Sequence, residues 1–413
     1  MASTSLGIDF GTSNSAAAFV RDGQIVRVHF DGDQDTLPTA VFFPDSGDML
    51  IGRAAAEALI EGEEGRYMRA LKSVLGTPLF HEKRLIGGKR QTLADIVTQF
   101  LVRLRNGAAQ RAGHNFDRVV SGRPVRFHHD PDRDARAEQD LRACYLAAGF
   151  EKVEFLFEPE AAAIASAGQV ADQSVGLIVD IGGGTSDFTV FRAAQTGPTV
   201  IASHGIRLGG TDFDQSVSLA HAMPLFGLGG ELRRTLGDGL LPVPRAIYGD
   251  LSNWAMIPFL YTRETERMVD DLVKHAVEPE KMHRLAEIIQ ERLGHDVAFA
   301  VERGKIAANS GAGNASIDLG VVEKSLAAPI SAGSMNASLS GYRDDLRAAI
   351  YETLKKAQIG PQQIGYVVLV GGSSLMRFVK EEALAVTPQA KIIETNAFTA
   401  VVDGLAIAAA RGR

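Results

Sequence analysis

The sequence predicts an α/β protein built as two similar lobes whose segments interleave along the chain. Three observations carry that prediction. An apolar strand ending in an aspartate and a glycine turn occurs twice, with Asp9 and Asp180 lying 171 positions apart. A third apolar strand, Tyr366 to Val370, ends in Gly371-Gly372-Ser373-Ser374. Between these strands the apolar residues switch to helical spacing, so sheet and helix alternate rather than segregate.

The first strand reads Leu6-Gly7-Ile8-Asp9-Phe10-Gly11-Thr12-Ser13-Asn14-Ser15 and runs into an extended Ala16–Val20. The second reads Leu177-Ile178-Val179-Asp180-Ile181-Gly182-Gly183-Gly184-Thr185-Ser186-Asp187 and runs into Phe188–Phe191. Each is strand, glycine turn, strand, which predicts a β-hairpin. A repeat at nearly half the chain length predicts two lobes, each opening its core sheet with one such hairpin. Between them, Leu93, Ile96, Val97, Phe100, Leu101 and Leu104 mark an amphipathic helix, and Ala135–Ala148 a second, closed by Gly149. Glu158-Pro159-Glu160 opens a third, with proline at the first helical position and carboxylates at the positive end of the dipole. Met223 to Pro258, with Pro242, Pro244 and Trp254, reads as an insertion between sheet elements. Helical patterns resume from Arg263 to Asn309, and an alanine-rich helix follows Ala397.

Composition narrows the function classes. Of 413 residues, 45% are hydrophobic and 23% charged, so the chain can bury sizeable cores. The net charge of −7 argues against nucleic acid as a partner, because neutralising phosphates takes clustered basic residues. No apolar stretch approaches the roughly 20 residues that span a bilayer, so no membrane partner is expected. Met1 to Ser5 lacks the basic and apolar regions of a secretion leader. The single Cys144 has no partner for a disulfide and reads as a partly buried thiol on a helix. The cytoplasm is the expected compartment.

A glycine-rich turn lets backbone amides approach an anion that a Cβ would hold off. Plain hairpins account for most such turns, so three further features matter. Hydroxyl residues follow the glycines, an aspartate precedes each turn, and the motif is duplicated. A carboxylate beside phosphate calls for a metal ion or its water between them. The pair therefore predicts a metal–polyphosphate gripped from both lobes. A Walker loop needs a lysine opening a helix, and a dinucleotide turn also leads into a helix; neither fits here.

At these residues the sequence resembles the actin-like ATPase superfamily and, within it, the 70-kDa heat-shock chaperone family. Leu6–Ser15 is similar to that family's first phosphate signature and Val179–Phe188 to its second. Phe157–Ala163 resembles the connecting segment, Leu369–Ser374 the adenosine signature, and Gly209-Gly210-Thr211-Asp212-Phe213-Asp214 a further marker. The overall shape is closest to the short, YegD-like branch of the family. The resemblance implies an actin-like fold, in which each lobe has a ribonuclease-H-like core sheet and an inserted smaller subdomain, with a nucleotide cleft between the lobes. The expected first-lobe base is 1–37 with 115–175, carrying an insert at 38–114. The second-lobe base is 176–222 with 311–413, carrying an insert at 223–310. The family's peptide-binding domain is not expected here.

The resemblance also implies roles. Asp9 and Asp180 would hold Mg²⁺, largely through its waters. Gly11, Thr12, Ser13 and Asn14, with Gly182, Gly183, Gly184 and Thr185, would cradle the phosphates of ATP or ADP. Lys72 would steady the γ-phosphate and the attacking water, Glu158 would position that water, and Asp180 and Thr185 would complete the catalytic set. Gly209, Gly210, Gly371, Gly372 and Ser373 would line the nucleotide, and Glu302 and Lys305 would lie over the nucleoside. Bland alternatives stand beside these. Lys83-Arg84-Leu85-Ile86-Gly87 mimics the lysine motif more literally than Lys72 does, although the following Gly88–Thr92 resembles a later segment. Glu158 could simply cap its helix, and Glu302 with Lys305 could be an ordinary pair on one helix face. Asp187 and Asp212 read as local hydrogen-bonding residues. Leu375 stands where the family has a base-stacking arginine, and Asn309 where it has a base-contacting serine.

The implied activity is slow, Mg²⁺-dependent ATP hydrolysis in a chaperone-like module coupled to an unknown protein partner or client. A nucleotide-sensing scaffold or filament-former and a small-molecule kinase are the other classes the sequence admits.

Overall fold

The computed structural model describes residues 5–30, 32–166, 173–194, 198–311, 313–393 and 396–412. The leader reading concerns residues 1–5, of which 1–4 lie outside the described residues. The chain forms two compact units, Met1–Gly210 together with Arg343–Arg413, and Thr211–Tyr342.

Both glycine hairpins lie in the first unit. Strands β1 (Ser5–Phe10) and β2 (Asn14–Arg21) pair antiparallel, with Asp9 opposite Ala16. β3 (Gln24–Arg27) extends the hairpin antiparallel on β2. On the other side of β1, β4 (Arg118–Arg123) and β5 (Lys152–Phe157) add in parallel. The order is therefore β5-β4-β1-β2-β3.

The second sheet repeats this plan strand for strand. β6 (Val175–Ile181) and β7 (Ser186–Arg192) form the hairpin, with Asp180 opposite Asp187. β8 (Thr199–Ile206) continues it antiparallel, while β9 (Tyr366–Val370) and β10 (Lys391–Ile393) add in parallel beside β6. The resulting order is β10-β9-β6-β7-β8. The duplication visible in two hairpins thus extends to five strands each. This bears out the actin-like α/β fold.

Helices α1 (Leu93–Ala112) and α2 (Pro131–Ala147) build the first core. The apolar stripe of α1 is buried against β1, with the Phe10 and Phe100 rings 5.8 Å apart. A reciprocal Thr92–Asp95 capping box starts α1, and Gly113 in the left-handed region ends it. α2 begins on the Asp130 side chain with Pro131 at its first turn, and buries Leu141, Cys144 and Tyr145. The thiol is thus more deeply buried than the sequence suggests, and burial pushes its pKa up to about 11.

Two small-residue helices, α3 (described over Glu158–Ser166) and α4 (Ala400–Ala410), pack on one another and on β1, β2 and β4. Their alanines share a core with Val120 and Leu156 of the first sheet and Ile178, Val368 and Val370 of the second. The approach is closer than any side chain permits: a Cβ on Gly404 would fall 1.8 Å from the Ala161 carbonyl oxygen. A Cβ on Gly7 would fall 2.6 Å from the Ala406 nitrogen.

The second unit is mainly helical, with Arg263–His275, Pro279–Gln290 and Gly294–Ser310 as its longest helices. Two short hairpins, Glu231–Arg233 with Leu240–Pro242 and Ser316–Asp318 with Ala327–Pro329, complete it. Among the described residues no helix is long and apolar enough to cross a membrane.

Candidate nucleotide site

The turns that leave β1 and β6 face each other. A Cβ on Gly183 would lie 2.4 Å from Ser13 Oγ and 3.0 Å from Thr12 Cβ, and one on Gly184 3.4 Å from Thr12 Oγ1. Each turn also folds tightly on itself. A Cβ on Gly11 would meet the Asn14 carbonyl oxygen at 2.2 Å, and the Gly182 amide donates to the Thr185 carbonyl at 3.0 Å.

Two further glycine pairs close on the second turn. The Gly210 amide donates to the Gly182 carbonyl at 2.9 Å, and a Cβ on Gly209 would fall 2.5 Å from the Gly184 nitrogen. Gly371, with φ of 78°, would place a Cβ 2.3 Å from the Ile181 carbonyl oxygen and 2.9 Å from Asp180 Oδ1. Ser373 Oγ stands 2.2 Å from where a Gly210 Cβ would be, and Gly372 lies under the ring of Phe398. The expected residues Gly11, Thr12, Ser13, Asn14, Gly182–Thr185, Gly209, Gly210 and Gly371–Ser373 are therefore brought to one place in the first unit. Side chains at these glycines would strike the neighbouring turns, and a glycine-rich cluster of this kind suits polyphosphate.

Beside this cradle is a buried group of charges. Lys72, on a single 3₁₀ turn over Leu71–Val74, donates from Nζ to Glu158 Oε1 at 2.6 Å, and both side chains are buried. Glu158 opens α3, and its Cγ would lie 3.1 Å from a Cβ on Gly122. Asp187 Oδ1 accepts from the Val125 amide at 2.9 Å. Burial raises the Asp180 pKa well above the usual carboxylate range, and Glu158, Asp187 and Asp9 raise it further. Asp187 is raised by burial and by Glu158. Burial and Glu158 push Asp9 up to about 7, against the lowering effect of Lys72. Burial alone would lower the Lys72 pKa, but Glu158, Asp9 and Asp187 outweigh it and the net direction is up.

Asp9, Glu158, Asp180 and Asp187 thus gather around the Lys72 ammonium, with Arg123 also acting on Asp187, and burial with mutual repulsion disfavours their full ionisation. Among the described residues no three acidic, histidine or cysteine side chains form a direct cage for a metal ion. The carboxylates of Asp9 and Asp180 are oxygen donors of the type that a divalent cation takes, directly or through its waters.

Lys83 and Lys89 occupy a different setting, exposed around the small hairpin of Arg84–Ile86 and Lys89–Gln91. The structure therefore places Lys72, and not the more literal motif, beside the carboxylates. Asp187, read from sequence as a local hydrogen-bonding residue, does bond the Val125 amide. It also belongs to the charge cluster, a role its position in the hairpin register opposite Asp180 could have signalled.

Glu302 and Lys305 lie in the second unit on helix Gly294–Ser310. Lys305 Nζ is 2.6 Å from Asp214 Oδ1, with both side chains buried, and Trp254 Nε1 donates to Asp214 Oδ2 at 3.2 Å. Asn309 is on the same helix, while Leu375, in the first unit, is 54% exposed.

The sequence is similar to known proteins. A family model described as Hsp70 protein matches residues 5–227. Chaperone protein DnaK of Thermotoga petrophila and that of Thermotoga maritima are each 33% identical over 214 residues, which is 51% of this chain and 34% of the relative. Chaperone protein DnaK of Thermosipho melanesiensis is 32% identical over 216 residues, with the same coverage of both chains. The match spans about a third of the length of these curated relatives.

Proposed function

Because the chain belongs to the Hsp70 family, we propose that it is an ATP-binding, chaperone-like module that hydrolyses ATP slowly with Mg²⁺ and couples nucleotide state to a protein partner. The observation that carries this reading is the contact of the Thr12-Ser13 and Gly183-Gly184 turns beside the Lys72–Glu158 pair. The four-part division, with inserts at 38–114 and 223–310, belongs to the same proposal.

In this mechanism the amides of Gly11–Ser13 and Gly182–Thr185 bind the phosphates, and the glycines let them come close. Asp9 and Asp180 would hold Mg²⁺, which when bound would neutralise charge on the phosphate oxygens. Lys72 Nζ turns toward the γ-phosphate and stabilises the charge that develops there. Glu158, already hydrogen-bonded to Lys72, orients the attacking water. Phosphoryl transfer is mostly positioning and electrostatic stabilisation, so this set is enough for slow turnover. Gly371, Gly372 and Ser373 abut the nucleoside. The nucleoside roles that the family likeness implies for Glu302 and Lys305 belong to the same proposal, and Lys305 Nζ would serve there while paired with Asp214.

The test is phosphate release from Mg-ATP by the wild type and by Asp180→Asn, alongside calorimetric titration with Mg-ADP. The expected result is measurable turnover that falls about a hundredfold or more in the variant, the scale for loss of one electrostatic stabiliser. A wild-type chain that binds neither nucleotide would sink the reading.

A further inference from the structure

Lys72 sits on a turn that does little to hold itself in place. Ala70 enters the turn in the left-handed region at φ of 59°, and Gly76 leaves it at φ of 70°. A left-handed alanine costs about 1–2 kcal/mol, so neighbouring structure must impose this path. Inside the turn, Ser73 and Thr77 bond only to the nearby carbonyls of Ala70 and Val74. Leu71 and Leu75 are buried and anchor the two ends in the core. Neither leucine fixes the lysine itself.

The remaining grip comes from the chain that follows β4. His128 Nε2 lies 2.6 Å from the Leu75 carbonyl oxygen. That oxygen can only accept, so Nε2 carries the proton and donates. Burial, with Arg207 and Arg133, lowers the His128 pKa, in keeping with a neutral ring. Asp140 on α2 accepts the Gly76 amide at Oδ2 (2.9 Å) and pairs with His81 through Oδ1 (2.9 Å). The turn lies flush on α2, since a Cβ on Gly76 would fall 2.4 Å from the Arg133 carbonyl oxygen. Phe127, next to His128, has its ring centroid 6.0 Å from Lys72 Nζ.

We propose that His128 and Asp140 are positioning residues for the reaction: they grip the backbone just after Lys72 and hold its ammonium at Glu158, where the γ-phosphate is to be met. This inference rests on the ATPase reading above. Neither residue is placed against the nucleotide, so loss of either should slow the chemical step and leave binding in place. A shift of about 1 Å in a catalytic group can cost up to about a hundredfold in rate.

The experiment compares full-length wild type, His128→Ala, His128→Gln and Asp140→Ala by phosphate release at saturating Mg-ATP and by calorimetric Kd for Mg-ADP. Thermal unfolding checks that each variant is folded. The expected result is a kcat lowered about tenfold or more in the two alanine variants, with Kd within about threefold of wild type. Most of the rate should return in His128→Gln, whose side-chain amide can donate to Leu75. In a Lys72→Ala background, His128→Ala should have no further effect on kcat. An equal loss with and without Lys72, or a loss confined to Kd, overturns the proposal. So does an unchanged rate in both alanine variants of an active protein. A wild type that releases no phosphate and binds no Mg-ADP overturns the ATPase reading, and this inference with it.

Discussion

Lys72 is the only cation hydrogen-bonded to Glu158 among the described residues, and the two are buried together. Removing one member of a buried pair strands the other, at a cost of about 3–5 kcal/mol, whereas removing both can be much cheaper. Lys72→Met should therefore lower unfolding free energy by that amount in denaturant titrations. Lys72→Met with Glu158→Gln should be more stable than Lys72→Met alone, and strict additivity of the two single losses would contradict the pairing. Asp9 gives a second prediction, in pH. Its carboxyl moves from an ordinary 3.8 to about 7 in the fold, chiefly through burial. Between those values the folded state holds a proton that the unfolded state has released. The stability tied to that proton is complete below 3.8 and is lost as pH rises through about 7. Metal-free wild type should thus lose thermal stability relative to Asp9→Asn across this window. Mg²⁺ at neutral pH should narrow the gap, because it favours the ionised form. A pH-independent gap would show that the Asp9 carboxyl does not change its proton affinity on folding.

The elements show what local sequence can and cannot carry. The two hairpins were legible because a hairpin is written in adjacent residues: alternating apolar positions, an aspartate, then glycines. The five-strand order that the two sheets share was not, since β4, β5, β9 and β10 join through long crossovers whose partners no local pattern names. Lys72 was legible only through family likeness. Its charge environment and its clamp by His128 and Asp140 depend on residues more than fifty positions away. The alanine-rich tail was readable as a helix, but the reason for its small residues lies in α3, against which Gly404 makes a contact that leaves no room for a methyl group. Gly404→Ala should raise intrinsic helix propensity and still destabilise the first unit by about 1–3 kcal/mol, because the added methyl must push the Ala161 backbone away. A gain in stability on chemical denaturation would mean that the α3–α4 approach is looser than 1.8 Å implies.

At the scale of the whole molecule, the charge cluster and the chain's only tryptophan fall in different units, and that separates two signals. Asp9, Lys72, Glu158, Asp180 and Asp187 belong to the first unit. Trp254 is buried in the second, bonded to Asp214 and packed edge-on against Phe299 with ring centroids 5.1 Å apart. Its fluorescence reports the second unit alone, whereas far-ultraviolet circular dichroism reports both. Ligands stabilise the structure that binds them in proportion to the logarithm of their concentration. On the proposed reading, metal ion with nucleotide would offset a burial penalty that lies in the first unit, so its main effect should be there. Raising Mg-ADP should therefore move the dichroism midpoint upward by several degrees while the tryptophan midpoint moves less. In Asp180→Asn the two midpoints should stay together as Mg-ADP is added, because a carboxylate proposed to hold the metal is gone. If both probes instead shift equally in the wild type at every concentration, the two units unfold as one cooperative body. Stabilisation delivered at the Asp9–Asp180 turns would then extend to the helices around Trp254.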